Sequence, residues 1–241
     1  MPAYHLPRFN PFPRIESVEI GPQQCAYVVD DALLNPDQLV DLAALYPERL
    51  SRPEGSAGAG VEWWMPAEFA GRLDDFFRLH VRRLLGGRRM LSMSCRLSML
   101  NVAPHELPPP AWWCHRDNDG GQPEQRMAAS VLYLFRDSAL GGTSFYRPTR
   151  SPQETEQLLC DVATMDGGSF TQRWGIEPGR VLGSSDHFEC AGRVPARWNR
   201  MVFYDGSALQ RSDITEPERL GADPRKGRLT LDGFFSCVRA R

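Results

Sequence analysis

Ala128-Ala-Ser-Val-Leu-Tyr-Leu-Phe135, followed by Gly141-Gly-Thr-Ser-Phe-Tyr146, is the stretch on which the fold turns. The first run is short, apolar and bounded by turn formers, as a buried strand should be. Gly141-Gly142 supplies a turn and Thr143–Tyr146 returns at once, so the pair predicts a β-hairpin. Working outward, further strands are expected at Arg96–Val102, Phe188–Cys190, Arg200–Tyr204 and Arg228–Phe235. Ser151-Pro-Gln-Glu154 is a capping box that opens a short helix through Leu158 and Leu159.

The residues before this region read differently. Asn35-Pro36 is a helix start, with Asn as cap and Pro in the first turn, and the helix runs to Leu45. A longer helix from Pro66 places Phe69, Leu73, Phe76, Phe77, His80, Leu84 and Leu85 on one side, with Gly86-Gly87 as its stop. His80 on that stripe is expected to be a packed core histidine. Helices first and short strands later give a mainly β chain with helical support, an α+β jelly roll braced by N-terminal helices. The expected organisation is one domain over residues 1–241. Residues 1–94 are mixed helical and extended support, 95–238 the β core and 147–195 a variable insert within it.

Composition excludes several classes of function. Charge is balanced at -2, from 28 basic and 30 acidic residues, which gives no electrostatic reason to expect nucleic acid or an anionic membrane as partner. No apolar run approaches membrane-spanning length, and the N-terminus lacks the continuous apolar stretch of a signal peptide. The six cysteines form no C-x-x-C and are widely spaced, which predicts free thiols and a cytoplasmic location.

Chemistry enters at His115-Arg116-Asp117. On an extended segment, side chains two apart share a face, so an imidazole and a carboxylate could meet one metal ion. They would form two thirds of a 2-His-1-carboxylate facial triad. Two other motifs are excluded. A kinase catalytic loop needs Asn where Gln122 stands. An EF-hand aligned on Gly120 would end at Arg126 instead of Glu. Asn118-Asp119-Gly120-Gly121 reads as a turn.

Taken in order, these elements resemble the iron(II)/2-oxoglutarate-dependent oxygenase superfamily, especially its prolyl-4-hydroxylase-like branch. The resemblance runs over about residues 95–238: His115-x-Asp117, the strand with Tyr133, the Gly-Gly-Thr segment, Asn199–Gly206 and Arg228-x-Thr230. It implies a double-stranded β-helix, and it implies iron(II) with 2-oxoglutarate as cosubstrate. It also implies oxidative decarboxylation coupled to hydroxylation of a small-molecule or peptide substrate. By the same resemblance His115 and Asp117 are metal ligands. Arg228 receives the distal carboxylate of 2-oxoglutarate, with help from the Thr230 hydroxyl. Arg is suited to that task by its planar fork of donors. Tyr133 either contacts the cosubstrate or packs in the core. Trp112 and Trp113 are expected to pack.

The family's distal His falls on Gln210 here, a departure at the metal itself. Three outcomes follow. Gln210 serves as a weaker third ligand, through an oxygen less suited to iron than imidazole. Another residue, Asp213 or His187 by type, completes the site. Or the metal site has decayed and the fold binds without turnover, making this a non-catalytic binding protein. A cupin-like metal enzyme without 2-oxoglutarate leaves Arg228-x-Thr230 unexplained.

Overall fold

The computed structural model describes residues 6–53, 60–112, 114–117, 122, 124–178 and 183–240. In chain order the elements are β1 (Ile15–Gly21), β2 (Gln24–Val29), α1 (Asp37–Leu45), β3 (Gly60–Trp64), α2 (Ala67–His80), β4 (Gly87–Leu100) and β5 (Gln125–Tyr133). There follow β6 (Thr143–Pro148), α3 (Pro152–Thr164), α4 (Gly167–Trp174), β7 (Phe188–Val194), β8 (Met201–Asp205), β9 (Leu209–Ser212) and β10 (Arg228–Arg239).

All strand pairings are antiparallel and fall into two sheets. The large sheet runs β1-β2-β8-β5-β10-β4-β3 and the small one β7-β6-β9. His115 extends the small sheet at its β9 edge by an isolated bridge to Gln210. The chain therefore alternates: β4 in the large sheet, His115 in the small, β5 large, β6 and β7 small, β8 large, β9 small, β10 large. This winding makes a double-stranded β-helix, in which β4-β10-β5-β8 faces the His115 bridge and β9-β6-β7.

Period-two alternation divides each strand between two cores. On β10, Leu229, Leu231 and Phe235 join the apolar faces of α1 and α2 behind the large sheet. Phe69, Leu73, Phe76 and Phe77 of α2 are all buried there, and the Phe77 ring stacks on Phe235 with centroids 3.9 Å apart. Each such side chain contributes about 1.5–3 kcal/mol on burial. Between the sheets lie Val131, Tyr133, Phe145, Val202 and Tyr204. A third cluster, with Trp112, Leu158, Phe170 and Leu209, packs beneath α3 and α4.

Several expectations are corrected. β5 and β6 form no hairpin: β6 pairs with β7 and β9, and β5 with β8 and β10. Gly141 and Gly142 carry the chain from one sheet to the other through a crowded passage. A Cβ at Gly141 would lie 2.0 Å from the Asp213 carbonyl oxygen, and one at Gly142 2.1 Å from that of Val194. Gly141 also has φ +75°. The second helix ends at His80, where the Arg82 amide reaches back five residues to share the Phe77 carbonyl with Val81. Leu84 is consequently exposed, and His80 is half-buried against the Phe76 ring. The first helix begins at Asp37, one residue late, without a side-chain cap. The segment before residue 95 also supplies three strands of the large sheet and the first part of β4.

The capping box is present, with both bonds between Ser151 and Glu154, and its helix extends to Thr164. All six cysteines are free. Among the described residues, no helix is long and apolar enough to cross a membrane.

Candidate metal and cosubstrate site

The bridge between His115 and Gln210 sets the geometry of the site. The His115 amide donates to the Gln210 carbonyl at 3.0 Å, and the Gln210 amide returns the bond at 2.8 Å. Residues directly opposite in an antiparallel pair share a face. Both side chains accordingly enter the space between the sheets, and Asp117 joins them two residues on. Gln210 Nε2 lies 2.9 Å from His115 Nε2, and 3.2 and 3.3 Å from the two Asp117 carboxylate oxygens. His115 Nε2 is 3.6 Å from Asp117 Oδ1.

Tyr204 of β8 donates its hydroxyl to Asp117 Oδ2 at 2.6 Å. Burial raises the Asp117 carboxyl pKa, but His115, Tyr204 and Gln210 outweigh it and the net shift is downward. Asp117 is thus held ionised. Burial, and then the Asp117 charge, hold the Tyr204 phenol well above its ordinary value, so it stays a donor.

A cavity of about 340 Å³ opens from this cluster and is lined deeper by Thr143, Arg228, Thr230 and Asp232. Alternation on β10 turns Arg228, Thr230 and Asp232 inward. Arg228 is 3% exposed. Its Nε donates to the Leu140 carbonyl at 2.8 Å, its Nη2 reaches the Gly141 and Gly142 carbonyls at 3.5 and 3.4 Å, and its guanidinium lies over the Phe135 ring. Among the described residues no carboxylate lies within 4.0 Å of it. Burial of the charge pushes its pKa downward. The Thr230 hydroxyl donates to Asp232 at 2.9 Å. Burial raises the Asp232 carboxyl, opposed by Arg96 at 3.9 Å.

The structure therefore gathers His115, Asp117, Gln210, Arg228 and Thr230 around one cavity. Tyr133 lies opposite Thr230, but its fully buried hydroxyl is bonded to Thr143 Oγ1 at 2.7 Å. Trp112 packs edge-on against Phe170 and donates to the Leu107 carbonyl. Neither alternative ligand lines the cavity. His187 Nε2 is 3.0 Å from the Trp174 carbonyl oxygen, and Asp213 faces Arg193 at 3.7 Å. Trp113 and the turn at 118–121 lie outside the described residues. Asp232 lies where strand alternation places it, on the face of Arg228 and Thr230, whereas Tyr204 escaped the sequence reading.

Among the described residues, no group of three His, Cys, Asp or Glu side chains could hold a metal. The cluster reaches three donors only by counting Gln210. Rotating its carboxamide exchanges Nε2 for Oε1, which turns a donor into a ligand oxygen. An imidazole nitrogen, an ionised carboxylate and an amide oxygen then share one point, a donor set that fits a divalent cation.

The chain is similar in outline to several solved structures at low identity. A prolyl 4-hydroxylase from Phytophthora capsici is 15% identical with a TM-score of 0.44, covering 88% of this chain and 58% of its own, so this chain spans less than two thirds of that protein. A Pseudomonas putida prolyl-4-hydroxylase is 14% identical with a TM-score of 0.45, covering 91% and 94%. HygX from Streptomyces hygroscopicus, with nickel and 2-oxoglutarate bound, is 12% identical with a TM-score of 0.44, covering 88% and 82%. No curated protein matches the sequence. The chain belongs to the family described as "Family of unknown function (DUF6445)", which matches residues 11–235.

Proposed function

We propose that this member of the family is an iron(II)/2-oxoglutarate-dependent oxygenase that hydroxylates a small-molecule or peptide substrate. His115, Asp117 and Gln210 would hold the metal, and Arg228 with Thr230 the distal carboxylate of 2-oxoglutarate. The observation that carries this reading is Arg228. A buried cation is costly without a counter-charge. This one lines the same cavity as the three converging donors, and among the described residues its hydrogen-bond acceptors are backbone carbonyls. A dianionic ligand that reached both ends of the cavity would compensate a metal ion and a guanidinium together.

Iron(II) with 2-oxoglutarate supplies oxidative chemistry toward dioxygen and an unactivated C–H bond. The chain's own residues do the positioning. Tyr204 fixes the Asp117 carboxylate and holds one of its oxygens, leaving the other for the ion. The His115–Gln210 bridge sets the spacing of the remaining donors through backbone bonds. Arg228 gives orientation to an anion at the deep end, and the Phe135 ring and the buried inter-sheet core keep water from its charge.

Anaerobic titration of the protein with iron(II) and 2-oxoglutarate tests this directly. The expected result is a metal-to-ligand charge-transfer band that requires both components. Absence of the band and of iron binding at saturating ligand would overturn the proposal.

A further inference from the structure

We infer that Arg211, Ser144 and Tyr146 form a buried site for a small monovalent inorganic anion such as chloride, on the face of the small sheet opposite the cavity. Gln210, Arg211 and Ser212 all border the cavity, but alternation on β9 turns the Arg211 side chain, like Leu209, to the other face, where it meets the Trp112 carbonyl beneath α3 and α4. Arg211 is 3% exposed. Its Nη1 donates to the Trp112 carbonyl, while its buried Nε and Nη2 have no hydrogen-bond partner. The register places Ser144 directly opposite, 0% exposed, and Tyr146 two residues further along the same face. The Ser144 and Tyr146 hydroxyls are likewise buried without a partner.

Four donor atoms and one full positive charge thus share this face. Among the described residues no carboxylate lies within 4.0 Å of Arg211. The Asp213 charge acts on it from further away, and that carboxylate faces Arg193 at 3.7 Å. Burial pushes the Cys114 thiol up to about 12 and raises the Tyr146 phenol, so both are neutral. Burial of Arg211 itself lowers its pKa to about 10. Buried charges are paired in native structures, and orphaned donors mark an acceptor. One guanidinium matches one negative charge, and the unpartnered donors around it are all buried.

The test uses the full chain and needs neither iron nor 2-oxoglutarate. Crystals grown with bromide replacing chloride should show an anomalous peak within hydrogen-bonding reach of Arg211 and of the Ser144 and Tyr146 hydroxyls. Tyr146→Phe, which removes one hydroxyl and little volume, should raise the half-saturating bromide concentration roughly tenfold. The melting temperature of the wild type should rise in chloride relative to gluconate at equal ionic strength, and Tyr146→Phe should lose most of that rise. Water at the site, a direct Tyr146–Arg211 bond, or bromide at surface positions alone would overturn the inference.

Discussion

Replacing Arg228 with Met should weaken cosubstrate binding severely while leaving the fold intact. Arg228 is 3% exposed and commits Nε to Leu140 at 2.8 Å, while the rest of its fork lines the cavity. A charge-assisted hydrogen bond contributes about 1.5–3 kcal/mol, and an Arg–carboxylate fork makes two. Taking about 3 kcal/mol as the lower range, 2-oxoglutarate should bind about 100-fold more weakly. The stability change should be small because two effects oppose. Leaving the Leu140 carbonyl unpaired costs about 1–3 kcal/mol. Removing a desolvated, unpaired cation returns a similar amount. Arg228→Lys keeps the charge without the fork and should lose about tenfold in affinity. Calorimetric titration with 2-oxoglutarate, using redox-silent manganese(II) in place of iron, measures all three proteins. An unchanged Kd in Arg228→Met, with melting preserved, would refute the assignment of the deep end of the cavity.

Four further expectations follow. Gln210→His should strengthen iron(II) binding at least about tenfold, since imidazole suits iron better than an amide oxygen; unchanged affinity in a competition assay would mean that position 210 does not face the ion. Asp117 has its pKa depressed in the folded protein, so its ionised form, and the metal affinity that needs it, persists above its unfolded pKa and fades as pH falls through the folded one. Tyr204→Phe removes one bond that stabilises this carboxylate, and should move the acid limb of the metal-binding pH profile upward by about one unit. Phe77→Ala should cost about 3–5 kcal/mol in urea unfolding, through loss of the stacked contact with Phe235. Gly142→Ala forces a Cβ against the Val194 carbonyl and should cost at least about 3 kcal/mol, or prevent folding, by the same assay.

The β core was legible wherever side-chain period decided it. Arg228-x-Thr230-x-Asp232 alternates with Leu229 and Leu231, and the structure puts the two sets on opposite faces. The Gly141-Gly142 segment was legible as a break but not as a crossover. A hairpin and a passage between sheets demand the same residue, and only the crowding by Asp213 and Val194 distinguishes them. The meeting of His115 with Gln210 was legible only by family resemblance, because it rests on a two-residue backbone bridge across 95 positions of sequence. Tyr204 was hidden for a related reason. Its hydroxyl reaches Asp117 across the space between the sheets, and no local pattern reports a contact of that kind.

The most direct measurement is the structure of the protein crystallised anaerobically with iron(II) and 2-oxoglutarate, with anomalous data collected at the iron edge. The account predicts one iron peak at coordination distance from His115 Nε2, an Asp117 oxygen and Gln210 Oε1, with the distal carboxylate of 2-oxoglutarate on Arg228. Iron elsewhere, or 2-oxoglutarate absent from Arg228 at saturating concentration, would contradict it.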